Sequence, residues 1–133
     1  MVVVHHDGTR FRLLVLRNFD RWDFPKRRVA ADGDALQSAL EELEKTTGIV
    51  DPALPWGEDY RETVPYDNGQ ISRYYLAQAR DMDVTLRLSP GEGADDFGHR
   101  WVTVEEAEDL LPPRLALVLD WVVARLASGP LPA

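Results

Sequence analysis

Apolar residues come in short continuous runs at the start of the chain and on a helical beat in its middle and at its end. Val2 to Val4 is a β-branched run, and Phe11 to Leu16 is a second apolar run. Asp7-Gly8 between them is a turn signal, so the two runs read as a β-hairpin. Asn18 to Arg28 mixes aromatic and basic residues around Pro25 and predicts irregular backbone. Leu36, Ala39, Leu40 and Leu43 then recur at helical spacing. Asp34 with Gln37 resembles a capping box and Gly48 supplies the stop, which sets a helix from Ala35 to Thr47.

Asp51 to Gly57 holds two prolines and reads as a loop. Arg61 to Pro65 and Ile71 to Ala79 read as strands about the turn Asp67-Asn68-Gly69. Val84 to Leu88 alternates and predicts another strand, and His99 to Val102 a short one. Pro90 to Gly98, with three glycines and three acids, is a loop. Thr103-Val104-Glu105-Glu106 is a capping box opening a helix to Leu111. Pro113 suits the first turn of a final helix to about Ala127, and residues 128–133 form a frayed tail. The predicted order is β-β-α-β-β-β-β-α-α, an α/β or α+β sandwich with a mixed sheet, in one domain over residues 1–127.

The 133 residues carry 15 Lys+Arg against 23 Asp+Glu, a net charge of −8. That balance argues against a binder of duplex DNA, which needs a basic face. There is no cysteine, which excludes disulfides, thiolate zinc sites and a cysteine nucleophile. No apolar run is long enough to span a bilayer. Met1 to Asp7 lacks the pattern of a signal peptide, so a cytoplasmic location without membrane partners is expected.

Candidate chemistry is concentrated in a few places. Lys26, Arg27 and Arg28 follow Pro25 just before a helix, a place where cations and a helix start both favour phosphate. The plain alternative is a basic surface loop. Tyr74 and Tyr75 are adjacent on a strand and point to opposite faces. The outer ring is a candidate for stacking on a base, with sheet packing as the alternative. His5, His6 and His99 have no metal-ligand spacing. No phosphate-cradling glycine loop and no nucleophile elbow is present.

Trp22-Asp23-Phe24-Pro25-Lys26, running into the helix from Ala35 to Thr47 and ending at Gly48-Ile49, resembles the Nudix hydrolase family. The family signature is G-x5-E-x7-R-E-U-x-E-E-x-G-U, with U a bulky apolar residue, on a loop–helix–loop between strands. The lead-in, Tyr74-Tyr75-Leu76, Leu86-Arg87-Leu88-Ser89 and Trp101 to Ala107 are most similar to the diadenosine-tetraphosphate hydrolase branch. Asp96-Phe97-Gly98-His99-Arg100-Trp101 also resembles a run of the RNA 5′-pyrophosphohydrolase branch. The resemblance implies an α/β/α sandwich, a metal-dependent pyrophosphohydrolase with Mg²⁺ or Mn²⁺, and a nucleotide-type substrate. It implies catalytic roles for Glu42 and Asp96, with Glu92 and Asp95 in the same loop as further candidates. Metal ligation falls on Glu42 and Asp34, and substrate binding on Lys26, Arg27, Arg28, Tyr74 and Tyr75.

Within the helix the signature departs from the family. Anchored on Gly48, the Arg-Glu pair falls on Glu41-Glu42 and the Glu-Glu pair on Lys45-Thr46; Glu42, Leu43, Gly48 and Ile49 stand in place. At about 100° per residue, positions 42, 45 and 46 share an arc of roughly 100°. Three carboxylates there would form an oxygen cage for Mg²⁺; this chain offers a carboxylate, an ammonium and a hydroxyl. Glu41 and Lys45 have the i,i+4 spacing of a surface ion pair. Two functions therefore stand side by side. One is a hydrolase acting on a nucleoside diphosphate-linked compound such as diadenosine tetraphosphate. The other is an inactive module of the same fold that binds a nucleotide, without need of a metal, or a protein partner or second copy.

Overall fold

The computed structural model describes residues 1–25, 34–65, 69, 71–86 and 97–129. Its strands are β1 (Val2–His6), β2 (Phe11–Asn18), β3 (Arg21–Asp23), β4 (Tyr60–Glu62), β5 (Arg73–Gln78) and β6 (Phe97–Val102). Its helices are α1 (Ala35–Thr47), α2 (Val104–Leu110) and α3 (Ala116–Ser128), the last entered through a 3₁₀ turn at Pro113–Leu115. The mixed α+β architecture expected from the sequence is present.

β1 and β2 form the expected hairpin, with Val4 opposite Leu13 and His6 opposite Phe11. Asp7 closes it: its carboxylate accepts the backbone N–H of Thr9 and Arg10 at 2.9 Å each. β1 also pairs in parallel with β5, Val2 opposite Leu76, and β5 pairs antiparallel with β4. β6 runs along the other edge of β2, from Leu13↔Val102 to Asn18↔Phe97.

Alternation along these strands divides the core in two. Val2, Val4, Leu13, Val15, Tyr74, Leu76 and Val102 pack with Leu115, Val118, Leu119 and Val122 beside α2 and α3. Val3, Leu14, Tyr75 and Ala77 pack with Leu43 of α1, with Leu36, Ala39 and Leu40 at the margin. The sheet is thus covered on both faces, a three-layer sandwich.

Besides β6, which begins at Phe97 within the expected loop Pro90 to Gly98, three local expectations differ. The stretch after Asn18 is not wholly irregular: β3 folds back on β2 with Leu16 opposite Asp23, through a tight turn with Phe19 at φ 60°. Two turn residues leave too short a run for a sequence period to register. The stretch from Val84 to Leu86 is not a strand. Val84 packs on the α1-side core and Thr85 N–H bonds the Thr47 carbonyl at 3.0 Å, so its alternation reflects packing over the end of α1 rather than a ladder. Third, β4 spans only Tyr60–Glu62: beyond it the Thr63 N–H still reaches the Ser72 carbonyl at 2.9 Å, but the Ser72 N–H turns to the Thr63 hydroxyl oxygen at 3.1 Å instead of a backbone carbonyl, which ends the ladder. Arg87 and Leu88, the turn residues Asp67 and Asn68, and residues 130–133 of the expected tail lie outside the described residues.

Candidate functional site

α1 carries the candidate site on its outer flank. Its boundaries follow from two caps. Asp34 is extended, and its carboxylate accepts the Gln37 N–H at 3.0 Å. Gly48 takes the left-handed conformation at φ 78° and donates its N–H to the Glu44 carbonyl at 2.9 Å. Leu43 and Thr47 are buried against the sheet. Thr47 Oγ1 donates to the Leu43 carbonyl at 2.6 Å and accepts from Ile49 N–H at 3.3 Å, which ties the helix end to the following segment.

With that face inward, Glu42, Lys45 and Thr46 turn outward together. Glu42 and Thr46 are half-buried and Lys45 is exposed. Thr46 Oγ1 donates to Glu42 Oε1 at 3.2 Å. Glu41 accepts a hydrogen bond from Gln37 Nε2 at 3.2 Å, and no ion pair joins it to Lys45 among the described residues. The i,i+4 pairing expected from the sequence is therefore absent.

These donors do not fit a divalent cation. The arc offers one carboxylate, one of whose oxygens holds a hydroxyl. An ammonium stands on the same arc, and a divalent ion about 4 Å from it is repelled by about 2 kcal/mol even at the dielectric of water. Asp34 cannot complete the set: it caps the helix eight residues earlier, about 12 Å along the axis. Among the described residues no group of three or more His, Asp or Glu side chains could hold a metal ion.

The two tyrosines are placed on opposite faces, as their adjacency requires, but both faces are covered. Tyr74 is 0% exposed and Tyr75 6%. Tyr75 lies in the α1-side core, its ring edge-on to Tyr60 at 5.7 Å. Sheet packing accounts for both rings. Lys26, Arg27, Arg28, Glu92, Asp95 and Asp96 lie outside the described residues.

Two features escaped the sequence. Tyr74 Oη donates to Asp23 Oδ1 at 2.8 Å, while Arg114 Nη2 pairs with Asp23 Oδ2 at 2.7 Å. This network joins the end of β3 to the turn before α3. A separation of 91 residues between Asp23 and Arg114 leaves no sequence signal. On the α1 side, the Arg73 guanidinium sits 3.9 Å from the centroid of the Tyr60 ring and pairs with Glu62 at 3.1 Å. The Tyr75 hydroxyl first, then Glu62, holds Arg73 more firmly protonated. Here the signal existed in part, since β4 and β5 were expected to neighbour each other.

No protein-family model matches the chain. Curated relatives do. The asymmetrical bis(5'-nucleosyl)-tetraphosphatase of Rattus norvegicus is 32% identical over 107 residues, covering 76% of this chain and 70% of the relative. That of Sus scrofa is 31% identical over the same span. Among solved structures, a Caenorhabditis elegans Ap4A hydrolase binary complex superposes with TM-score 0.76 over 96% of both chains at 20% identity. The Nudix domain of Shewanella oneidensis NrtR, solved with ADP-ribose, gives TM-score 0.67 at 13% identity, over 94% of this chain and 84% of that one. On this identity and coverage the chain belongs to the Nudix hydrolase family, on the branch of the asymmetrical bis(5'-nucleosyl)-tetraphosphatases.

Proposed function

We propose that the chain takes a nucleoside diphosphate-linked compound of the diadenosine tetraphosphate type on the outer flank of α1. The reading is carried by Glu42, the signature acid that remains in place, half-buried beside Thr46. In this reading Glu42 is the general base. It takes a proton from a water that attacks a phosphorus; the new P–O bond forms as the phosphoanhydride P–O bond breaks, and the negative charge leaves on the departing phosphate. Thr46 orients the Glu42 carboxylate through its hydroxyl. Lys26, Arg27 and Arg28 offset the charge of the phosphates, and Asp96 is the second acid. No step is drawn through Mg²⁺ or Mn²⁺, because the donors on α1 do not fit either. The reading places the protein in the cytoplasm.

A hydrolysis assay with diadenosine tetraphosphate, run beside Glu42→Gln, tests it. Turnover that Glu42→Gln lowers by about 10²-fold or more supports the assignment, the size expected for a positioned base. Equal turnover by the two proteins removes Glu42 from the chemistry. A second reading, a module that binds the nucleotide without turning it over, is favoured by Lys45 and Thr46 on the arc of the signature acids. Calorimetric binding without product would establish it.

A further inference from the structure

We propose that Lys45 stands in for the divalent cation on α1, so that this face binds a polyphosphate without metal and prefers it metal-free. The inference rests on the α1 flank as the nucleotide site. It starts from the mismatch between the arc and a metal. Glu42 has its Oε1 engaged by the Thr46 hydroxyl at 3.2 Å, and the neighbouring position on the same arc is a cation. Glu41, the acid placed to neutralise that cation, takes a hydrogen bond from Gln37 instead. Lys45 is exposed and forms no ion pair among the described residues.

The residue type fits the task. The chain has thirteen arginines and two lysines, Lys26 and Lys45. A lysine ammonium is a compact, strongly hydrated point charge with three donors, closer to a hydrated cation than a planar guanidinium is. Lys45 also lies in the last turn of α1, where the negative end of the helix dipole favours a cation. One cation with a flexible stem meets a phosphate oxygen directly, and a ligand already carrying Mg²⁺ brings a positive charge against it.

Calorimetry with diadenosine tetraphosphate in EDTA and in excess Mg²⁺ tests this on the intact protein. Affinity in EDTA is expected to equal or exceed that in Mg²⁺. Lys45→Gln should weaken binding in EDTA by about tenfold, the loss of one charge-assisted contact, and Lys45→Arg should retain most of it. Binding that is weaker in EDTA than in Mg²⁺, or that is unchanged in Lys45→Gln, overturns the proposal and leaves the nucleotide site intact. Titration of Mg²⁺ alone gives a second readout. Wild-type protein should take up none on α1, and Lys45→Glu with Thr46→Glu should gain it. Uptake by wild type that Glu42→Gln abolishes also overturns the proposal. Absence of any nucleotide affinity in either condition overturns both this proposal and the site on which it rests.

Discussion

Glu106 shows how much one side chain does here. Its Oε1 accepts the Thr103 backbone N–H and the Thr103 hydroxyl at 3.1 Å each, while its own N–H returns to Thr103 Oγ1 at 3.2 Å. The Thr103 hydrogen bonds hold the Glu106 carboxyl below its ordinary value, with smaller help from Arg100 and Arg12. A depressed folded value means that the ionised form stabilises the fold above the unfolded value, about 4.3. That stabilisation is lost as pH falls through the folded value. Urea midpoints should therefore separate wild type from Glu106→Gln at neutral pH and converge once the pH has fallen below the folded value, where both side chains are neutral. A gap that persists in acid would assign the effect to packing instead. On the α1 flank, the hydrogen bond from Thr46 Oγ1 to Glu42 Oε1 at 3.2 Å takes up one of the positions that carboxylate could offer a ligand.

At the scale of elements, caps outrank propensity. α1 is a 13-residue helix, marginal in isolation, yet it starts and stops where short polar and glycine signals place it. Asp34→Ala removes the acceptor for the Gln37 N–H. The variant should lose about 1 kcal/mol, measured by chemical denaturation. If Asp34 served the ligand instead of the helix, the same variant would keep its stability and lose nucleotide affinity. Legibility varied with the kind of signal. Caps, turns and the 3.6-residue period mark α1, α2 and the first hairpin to within a residue or two, and α3 once the 3₁₀ turn at Pro113–Leu115 is counted as its entry. β3 and the stretch after Val84 are not legible in this way, because a three-residue strand has no measurable period and because alternation also arises wherever a chain lies on a core. Of the site, the arc of Glu42, Lys45 and Thr46 was legible, being local to one helix. The burial of both tyrosines was not, since it depends on layers contributed by residues distant in sequence.

The whole molecule is a sheet shared by two cores. Leu43 at 1% exposure anchors the α1 side and Leu115 at 0% the α3 side. Leu43→Ala and Leu115→Ala should each cost about 2–5 kcal/mol. With the sheet between them the costs should add to within about 0.5 kcal/mol in thermal or urea unfolding. Strong non-additivity would show that the two layers fold as one contact network. The polar bridge from Asp23 to Tyr74 and Arg114 lies on the α3 side, away from the α1 flank, and it links the entry to the α1 segment with the last helix. No described helix is long and apolar enough to cross a membrane.

The sequence by itself determined the class of fold, the extent of α1 and the composition of its outer arc. Each of these is set by interactions within a few residues: caps, helical period and side-chain chemistry at fixed angular spacing. Tertiary structure alone decided which rings are buried. It also decided that Asp23 meets Arg114 and that the stretch after Val84 spans the end of α1 instead of joining the sheet. Those outcomes rest on contacts between distant parts of the chain, where burial of apolar area selects the arrangement and local patterns hold no record of the partner.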